Sequence, residues 1–174
     1  MRWFLVAILA YACLLVQTAL FRPGALALEL DDHWARPDLV LTLGLFLALY
    51  LRPTEAFVLA WCLGLASDLV SVAGRVGLLA LLFCLSLLPA SHLRRAVPRD
   101  RLLAQFLAAL ATVFVVHWLW YVAARGLAGS SLALGRSAEE AVFDALYSAA
   151  LAPYLFILLR WLRSPLRLKA ETER

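Results

Sequence analysis

Charged residues are scarce in this chain. Only 16% of its 174 residues are Asp, Glu, Lys or Arg, whereas 64% are hydrophobic. One soluble core could not bury so much apolar surface, so the composition excludes an ordinary water-soluble domain and predicts an integral membrane protein. The net charge of +4 does not indicate nucleic acid binding, because the basic residues form short clusters between apolar runs.

Cysteines and catalytic signatures are also few or missing. Cys13, Cys62 and Cys84 all lie in apolar runs and show no C-x-x-C spacing, so they predict neither a disulfide framework nor a metal site. The sequence has no G-x-S-x-G, H-E-x-x-H or Walker lysine motif. It also has no arginine-rich span typical of a voltage sensor. We therefore expect no enzyme activity, no metal and no cofactor.

Six apolar stretches are present, and a bilayer core about 30 Å thick takes about 20 helical residues. We expect one all-α membrane domain with spans near 3–21, 37–51, 56–73, 78–93, 102–124 and 139–162, followed by a cytoplasmic tail at 163–174. The first run is longer than the about 7–15 residues of a signal-peptide core, which favours an uncleaved helix. Pro53, in the tight connection "RPTE", is placed to begin a helix.

The positions of lysine and arginine predict the orientation of the chain. Most of the 16 basic residues lie on the side that holds both termini, including the cluster "RRAVPRDR" at 94–101. Because cytoplasmic loops retain basic residues, we expect a multi-pass protein of the bacterial inner membrane with both termini in the cytoplasm. The outer loops are too short for a globular domain, so any recognition must occur within or beside the membrane.

Acidic residues and a histidine fall in the outer half of this topology. Asp38 opens the second span, His117 follows the middle of the fifth, and Asp68 and Asp144 each lie about 8 Å from an outer helix end at a rise of 1.5 Å per residue. A charge in hydrocarbon costs about 2.5–3.5 kcal/mol on insertion scales, so these side chains should face protein or water. The inner half has no acidic residue or histidine within a span, only Ser86, Gln105, Tyr147, Ser148 and Pro153.

The third span carries its aspartate on a face of small residues, which permits close approach of another helix. That face comprises Ala60, Gly64, Ser67, Asp68 and Ser71. Asp68 either fixes the following turn, by bonding to Arg75 or to free backbone N–H groups, or contacts a ligand or partner helix. A proton or ion relay is a third alternative.

His117 lies in the stretch "VVHWLWY". Its neighbours Trp118, Trp120 and Tyr121 are typical of an interfacial aromatic belt. This setting favours a packed or interface histidine over a ligand-binding one.

Three motifs follow one another along the chain: "RPDLVLTLGLFLALYLRPTEA" at 36–56, "GLASDLVSVAGRVGLLAL" at 64–81 and "YSAALAPYLFILL" at 147–159. A Pro-Asp pair that opens a helix, a Gly-Leu-x-x-Asp-x-x-Ser helix ending in a glycine turn, and a late Tyr-Pro helix together resemble the rod shape-determining protein MreD family. The positions that match its motifs are Pro37, Asp38, Gly64, Asp68, Ser71, Gly74, Gly77, Tyr147 and Pro153.

The resemblance implies a non-enzymatic subunit of the bacterial cell-elongation (rod) complex, which supports cell-shape control and peptidoglycan synthesis. The implied partner is an MreC-like bitopic protein, with indirect links to MreB, RodA and a class-B penicillin-binding protein. The implied fold is a six-helix bundle similar to the substrate-binding subunits of energy-coupling-factor transporters.

These expectations give a hypothesis for partner binding. The partner's membrane helix would lie against the small-residue face of the third span, and the outer polar set (Asp38, Asp68, His117 and Asp144) would fix its juxtamembrane segment. One alternative is a substrate-binding subunit of a vitamin-type transporter with an outward-facing cavity. Another is a lipid-handling scaffold.

Overall fold

The computed structural model describes residues 3–20, 28–30, 33–70, 76–92, 102–127 and 134–161. These residues form six helices and a two-stranded hairpin: α1 (Trp3–Leu20), β1 (Leu28–Leu30), β2 (His33–Ala35), α2 (Leu39–Ala48), α3 (Pro53–Val70), α4 (Leu78–His92), α5 (Leu102–Leu127) and α6 (Leu134–Trp161). The predicted helical class is confirmed for this part of the chain.

Three helices have the length and apolar character needed to cross a membrane. The qualifying stretches are Pro53–Val70, Leu102–Gly126 and Gly135–Trp161. Three further apolar helices are shorter: Trp3–Ala19, Leu39–Ala48 and Leu78–His92. The chain thus carries at least three candidate spans among its described residues, and the crossing of all six helices stays a prediction.

The hairpin lies between the first two predicted spans, in a segment expected to be a loop. Its strands are antiparallel, with Leu28 opposite Ala35 and Leu30 opposite His33, and β2 packs against α6. Only two residues separate the strands in the sequence, and two-residue connections are the commonest in β-hairpins.

Helix α2 is the central element of the bundle. It contacts α1, α3, α4, α5 and α6, and each residue from Val40 to Ala48 is buried. Its ten residues span only about 15 Å. Because protein rather than lipid surrounds this helix, it can be apolar on every side and shorter than the bilayer.

Helices α3 and α4 approach most closely at Gly64. A Cβ atom at this position would lie 2.3 Å from Ala80 Cα, 2.7 Å from Ala80 N and 2.9 Å from Leu79 O, all of them backbone atoms. Gly77, just before α4, has a φ of +104°, which a glycine adopts readily and other residues rarely do. The two glycines allow α4 to turn back directly onto α3.

Helices α5 and α6 form a second hairpin. Much of the face of α6 that packs in the bundle consists of small residues, since Ala141, Ala145, Ala149 and Ala152 are fully buried. Helix α6 begins at Leu134, before the start predicted near residue 139. The additional turn contains Ser137, which accepts a hydrogen bond from Arg125 of α5. Contact with α5 therefore accounts for the earlier start of α6.

Candidate functional site

The first turn of α2 is capped by Asp38. Its Oδ1 atom accepts a hydrogen bond from Leu41 N at 2.9 Å, and its backbone carbonyl accepts one from Thr42 Oγ1 at 2.7 Å. An aspartate immediately before an apolar helix is a favoured N-cap, because its carboxylate satisfies an N–H that has no partner within the helix. The neighbouring Pro37 is buried. The Pro-Asp motif thus places a carboxylate inside the bundle.

His117 bridges two carboxylates from different helices. Its Nε2 atom lies 3.2 Å from Asp38 Oδ2, and its Nδ1 atom lies 3.0 Å from Asp144 Oδ2. The side chains are largely buried, with 19% of His117, 10% of Asp38 and 4% of Asp144 exposed. Three residues that the sequence placed at a similar depth are therefore in direct contact, and they join α2, α5 and α6.

Asp144 also holds the segment that enters α2. Its Oδ2 atom accepts a hydrogen bond from the Tyr121 hydroxyl at 2.7 Å, and its Oδ1 atom accepts one from the backbone N–H of Arg36 at 3.0 Å. Ser148 Oγ donates to the Asp144 carbonyl at 2.7 Å and accepts from Asp38 N at 2.9 Å. This part of α6 therefore binds the backbone N–H groups of Arg36 and Asp38 at the start of α2.

Gln17 connects α1 to the same point. Its Oε1 atom accepts hydrogen bonds from Leu39 N at 3.1 Å and Val40 N at 3.3 Å, two N–H groups that have no acceptor within α2. Four helices thus meet at one cluster, which we call the polar network: Gln17, Asp38, His117, Tyr121, Asp144 and Ser148. It lies toward the end of the bundle where α1, α3 and α5 finish and α2, α4 and α6 begin, which we call the network end.

Tyr121 and Ser148 belong to this site, although the sequence predicts Tyr121 in an aromatic belt and Ser148 in the inner half of its span. Two rows with a spacing of four residues carry the missing signal: His117, Tyr121 and Arg125 on α5, and Glu140, Asp144 and Ser148 on α6. Residues four apart share a helix face, so each row predicts a polar stripe, and the structure brings the two stripes together.

Beyond the polar network, the two rows are joined by an ion pair. Arg125 Nη2 lies 2.6 Å from Glu140 Oε2, and the Arg125 guanidinium carbon lies 5.9 Å from the centre of the Tyr121 ring. Arg136 also approaches Glu140, with its Nε atom 3.4 Å from Oε1. These contacts continue the polar contacts between α5 and α6 out to the network end.

Asp68 bonds at the start of α4. Its Oδ2 atom accepts hydrogen bonds from Gly77 N at 2.8 Å and Ala80 N at 3.2 Å, and its Oδ1 atom accepts one from Leu79 N at 3.2 Å. This geometry corresponds to the alternative in which Asp68 fixes the turn through backbone N–H groups. Arg75, the other bonding partner considered, lies outside the described residues.

Of the remaining residues predicted from the sequence, those that the structure describes lie on α3 and α6. Gly64 lies one turn before Asp68, and both contact Ala80 of α4. Tyr147 and Pro153 are half-buried within α6. Ser71 and Gly74 lie outside the described residues. The face of α3 that was predicted to receive a partner helix therefore packs, at Gly64 and Asp68, against α4 of the same chain.

Replacing Asp68 tests its contact with α4. We expect Asp68→Leu to lower the free energy of unfolding in detergent by about 2–3 kcal/mol, because the N–H groups at the start of α4 lose their acceptor. Asp68→Asn is the matched control, since its amide oxygen still accepts a hydrogen bond, and it should cost less. Equal stability of Asp68→Leu and the wild-type chain would contradict a structural role for this carboxylate.

The hydrogen bonds of the polar network hold helices together. Both ring nitrogens of His117 contact carboxylates, and both carboxylates also accept backbone N–H groups. Within the described ranges, no group of three or more His, Cys, Asp or Glu residues is arranged to hold a metal ion. The network joins helices through contacts among its members and with backbone N–H groups at the start of α2.

Comparison with known protein families identifies the family of this chain. Residues 1–162 match the family described as rod shape-determining protein MreD. The chain belongs to the MreD family. The matched region includes every described helix and the whole polar network, and it confirms the resemblance found in the sequence motifs. No curated protein and no solved structure shows significant similarity to the chain.

Membership in the MreD family has direct consequences for function. MreD proteins determine rod shape, and they form a family of membrane proteins rather than a known family of enzymes. The three long apolar helices of this chain fit insertion into a membrane. The chain is therefore a membrane protein with a role in rod-shape determination.

Proposed function

We propose that this chain is a non-enzymatic subunit of the rod complex and binds an MreC-like bitopic protein in the bacterial inner membrane. The match to the MreD family over residues 1–162 is the observation that carries the proposal. Through this partner the chain would act with MreB, RodA and a class-B penicillin-binding protein in peptidoglycan synthesis.

In the proposed topology all six helices cross the membrane and both termini are cytoplasmic. The distribution of basic residues supports this orientation, and it puts the network end on the outer side. The short α2 can take part because it is enclosed by other helices. The similarity to energy-coupling-factor subunits stays a prediction from the family resemblance.

The proposed partner surface is the network end rather than the small-residue face of α3. Helix α4 already packs against Gly64, so a partner helix would have to displace it there. At the network end, His117 contacts both Asp38 and Asp144. Their proposed role is to hold this end in shape, while the elements around it, including the β1–β2 hairpin and the start of α6, contact the partner.

The experiment is purification of the chain from membranes of its native host in mild detergent, followed by mass spectrometry of the bound proteins and small molecules. We expect near-stoichiometric recovery of an MreC-like bitopic protein. A detergent-solubilised membrane protein that does not bind this chain serves as the control for non-specific capture. Recovery of a vitamin-like ligand or an energising transporter subunit, without the bitopic protein, would overturn the proposal in favour of a transport function.

A further inference from the structure

The contacts of His117 determine how many protons the Asp38–His117–Asp144 triad holds. An ionised carboxylate can only accept hydrogen bonds, and a neutral imidazole has one N–H donor and one bare nitrogen. In this structure both ring nitrogens face carboxylate oxygens, at 3.2 Å and 3.0 Å. A neutral ring between two ionised carboxylates would leave a nitrogen lone pair against an anionic oxygen. The geometry therefore requires one proton more than a neutral ring and two ionised carboxylates provide.

The surroundings of the carboxylates indicate where this proton lies. Asp144 accepts hydrogen bonds from Tyr121 Oη and Arg36 N in addition to its contact with His117. Asp38 accepts one from Leu41 N. Hydrogen bonds donated to a carboxylate favour its ionised form. The extra proton is thus better placed on the ring than on either acid.

We propose that His117 is held as an imidazolium between two ionised aspartates, and that this bound proton closes the junction of α2, α5 and α6. The buried ring charge is then compensated on both sides, as buried charges require. With the proton removed, one of the two contacts becomes repulsive, and either the α2 contact or the α6 contact opens. The triad is thus a proton-binding site with a structural consequence.

Other groups near the site set its local charge. From α5, the Tyr121 hydroxyl donates to Asp144, and the ion pair between Arg125 and Glu140 follows toward the network end. From α1, the neutral Gln17 binds the first N–H groups of α2. With a protonated ring the triad carries one net negative charge, and 19% of the His117 side chain is exposed.

This site would make the shape of the network end depend on proton occupancy. Arg36 lies between β2 and α2, and its backbone N–H donates a hydrogen bond to Asp144, the same residue that contacts the His117 ring. Any effect on partner binding rests on the proposed function. The proton itself does not, because the purified chain should hold it without a partner.

The test is NMR of the purified, detergent-solubilised full-length chain with ¹⁵N-labelled histidine. The sequence contains only three histidines, so His33→Gln together with His92→Gln leaves His117 as the sole signal. At neutral pH we expect both ring nitrogens to resonate as protonated nitrogens, each coupled to its own hydrogen. One protonated and one bare nitrogen would overturn the proposal.

A second variant tests whether the carboxylates hold the proton. In the same background, Asp38→Asn with Asp144→Asn should convert His117 to a neutral ring with one bare nitrogen. If His117 stays doubly protonated in this variant, the assignment of the proton to the two aspartates is wrong. Should the variant fail to fold, the spectrum of the chain with both aspartates still decides the proposal. A missing partner in the purification experiment would not affect this result.

Discussion

Gly64→Ala is expected to lower the free energy of unfolding by about 3 kcal/mol, near the upper end of the usual cost of overpacking. The added methyl group would lie within 3 Å of three backbone atoms of α4, and backbone atoms cannot rotate away as a side-chain terminus can. The two helices must therefore separate at this point. Because Asp68 bonds to Leu79 and Ala80 in the same turn of α4, the separation should also lengthen those hydrogen bonds.

Two other helical glycines provide a graded control for this prediction. At Gly44 the nearest atom to an added Cβ would be the flexible Cδ1 of Leu87, at 2.8 Å, and at Gly135 nothing lies within 4 Å. Unfolding in detergent should therefore show the largest loss of unfolding free energy for Gly64→Ala, a smaller loss for Gly44→Ala, and almost none for Gly135→Ala. If Gly64→Ala proved as stable as Gly135→Ala, the close contact between α3 and α4 would be contradicted.

Asp144→Ala is expected to cost about 3–5 kcal/mol of unfolding free energy, the range for removing one partner of a buried charged pair. The substitution removes the acceptor of Tyr121 Oη, of Arg36 N and of one ring nitrogen of His117. Asp144→Asn retains an acceptor oxygen, so it should lose less stability. Unfolding in detergent, followed by circular dichroism, measures the difference.

Glu139 provides the matched control on the same helix, because it is an exposed acid five residues away. Glu139→Ala should change stability by no more than about 0.5 kcal/mol. A double-mutant cycle between Asp144→Ala and Tyr121→Phe should show a coupling energy of about 0.5–3 kcal/mol, as residues in direct contact do. Additive losses in this cycle would contradict the hydrogen bond between the two side chains.

The sequence predicts the helical class because long apolar runs leave few alternatives. It also placed Asp38, His117 and Asp144 at a similar depth, and the structure brings them into contact. Depth alone does not bring Ser148 to this site, since the depth estimate treats every helix as beginning at the membrane surface. Helix α2 is short and starts within the bundle, where Asp38 N reaches Ser148 Oγ.

The small-residue face of α3 shows a second limit of sequence patterns. The spacing of Gly64 and Asp68 correctly predicts a face suited to close helix approach, but periodicity does not identify the neighbouring helix. In the structure that neighbour is α4. The path of the chain determines which helix packs there, because Gly77 adopts a left-handed conformation and α4 returns directly along α3.

The most direct measurement is the amount of MreC-like partner recovered per chain from host membranes, compared for the wild-type protein, His117→Gln and Glu139→Gln at equal membrane levels. If the polar network holds the partner surface in shape, recovery should be near-stoichiometric for the wild-type protein and Glu139→Gln and should fall severalfold for His117→Gln. Equal recovery for all three would contradict a role of the network in partner binding, and absence of the partner from the wild-type sample would contradict the proposed function itself.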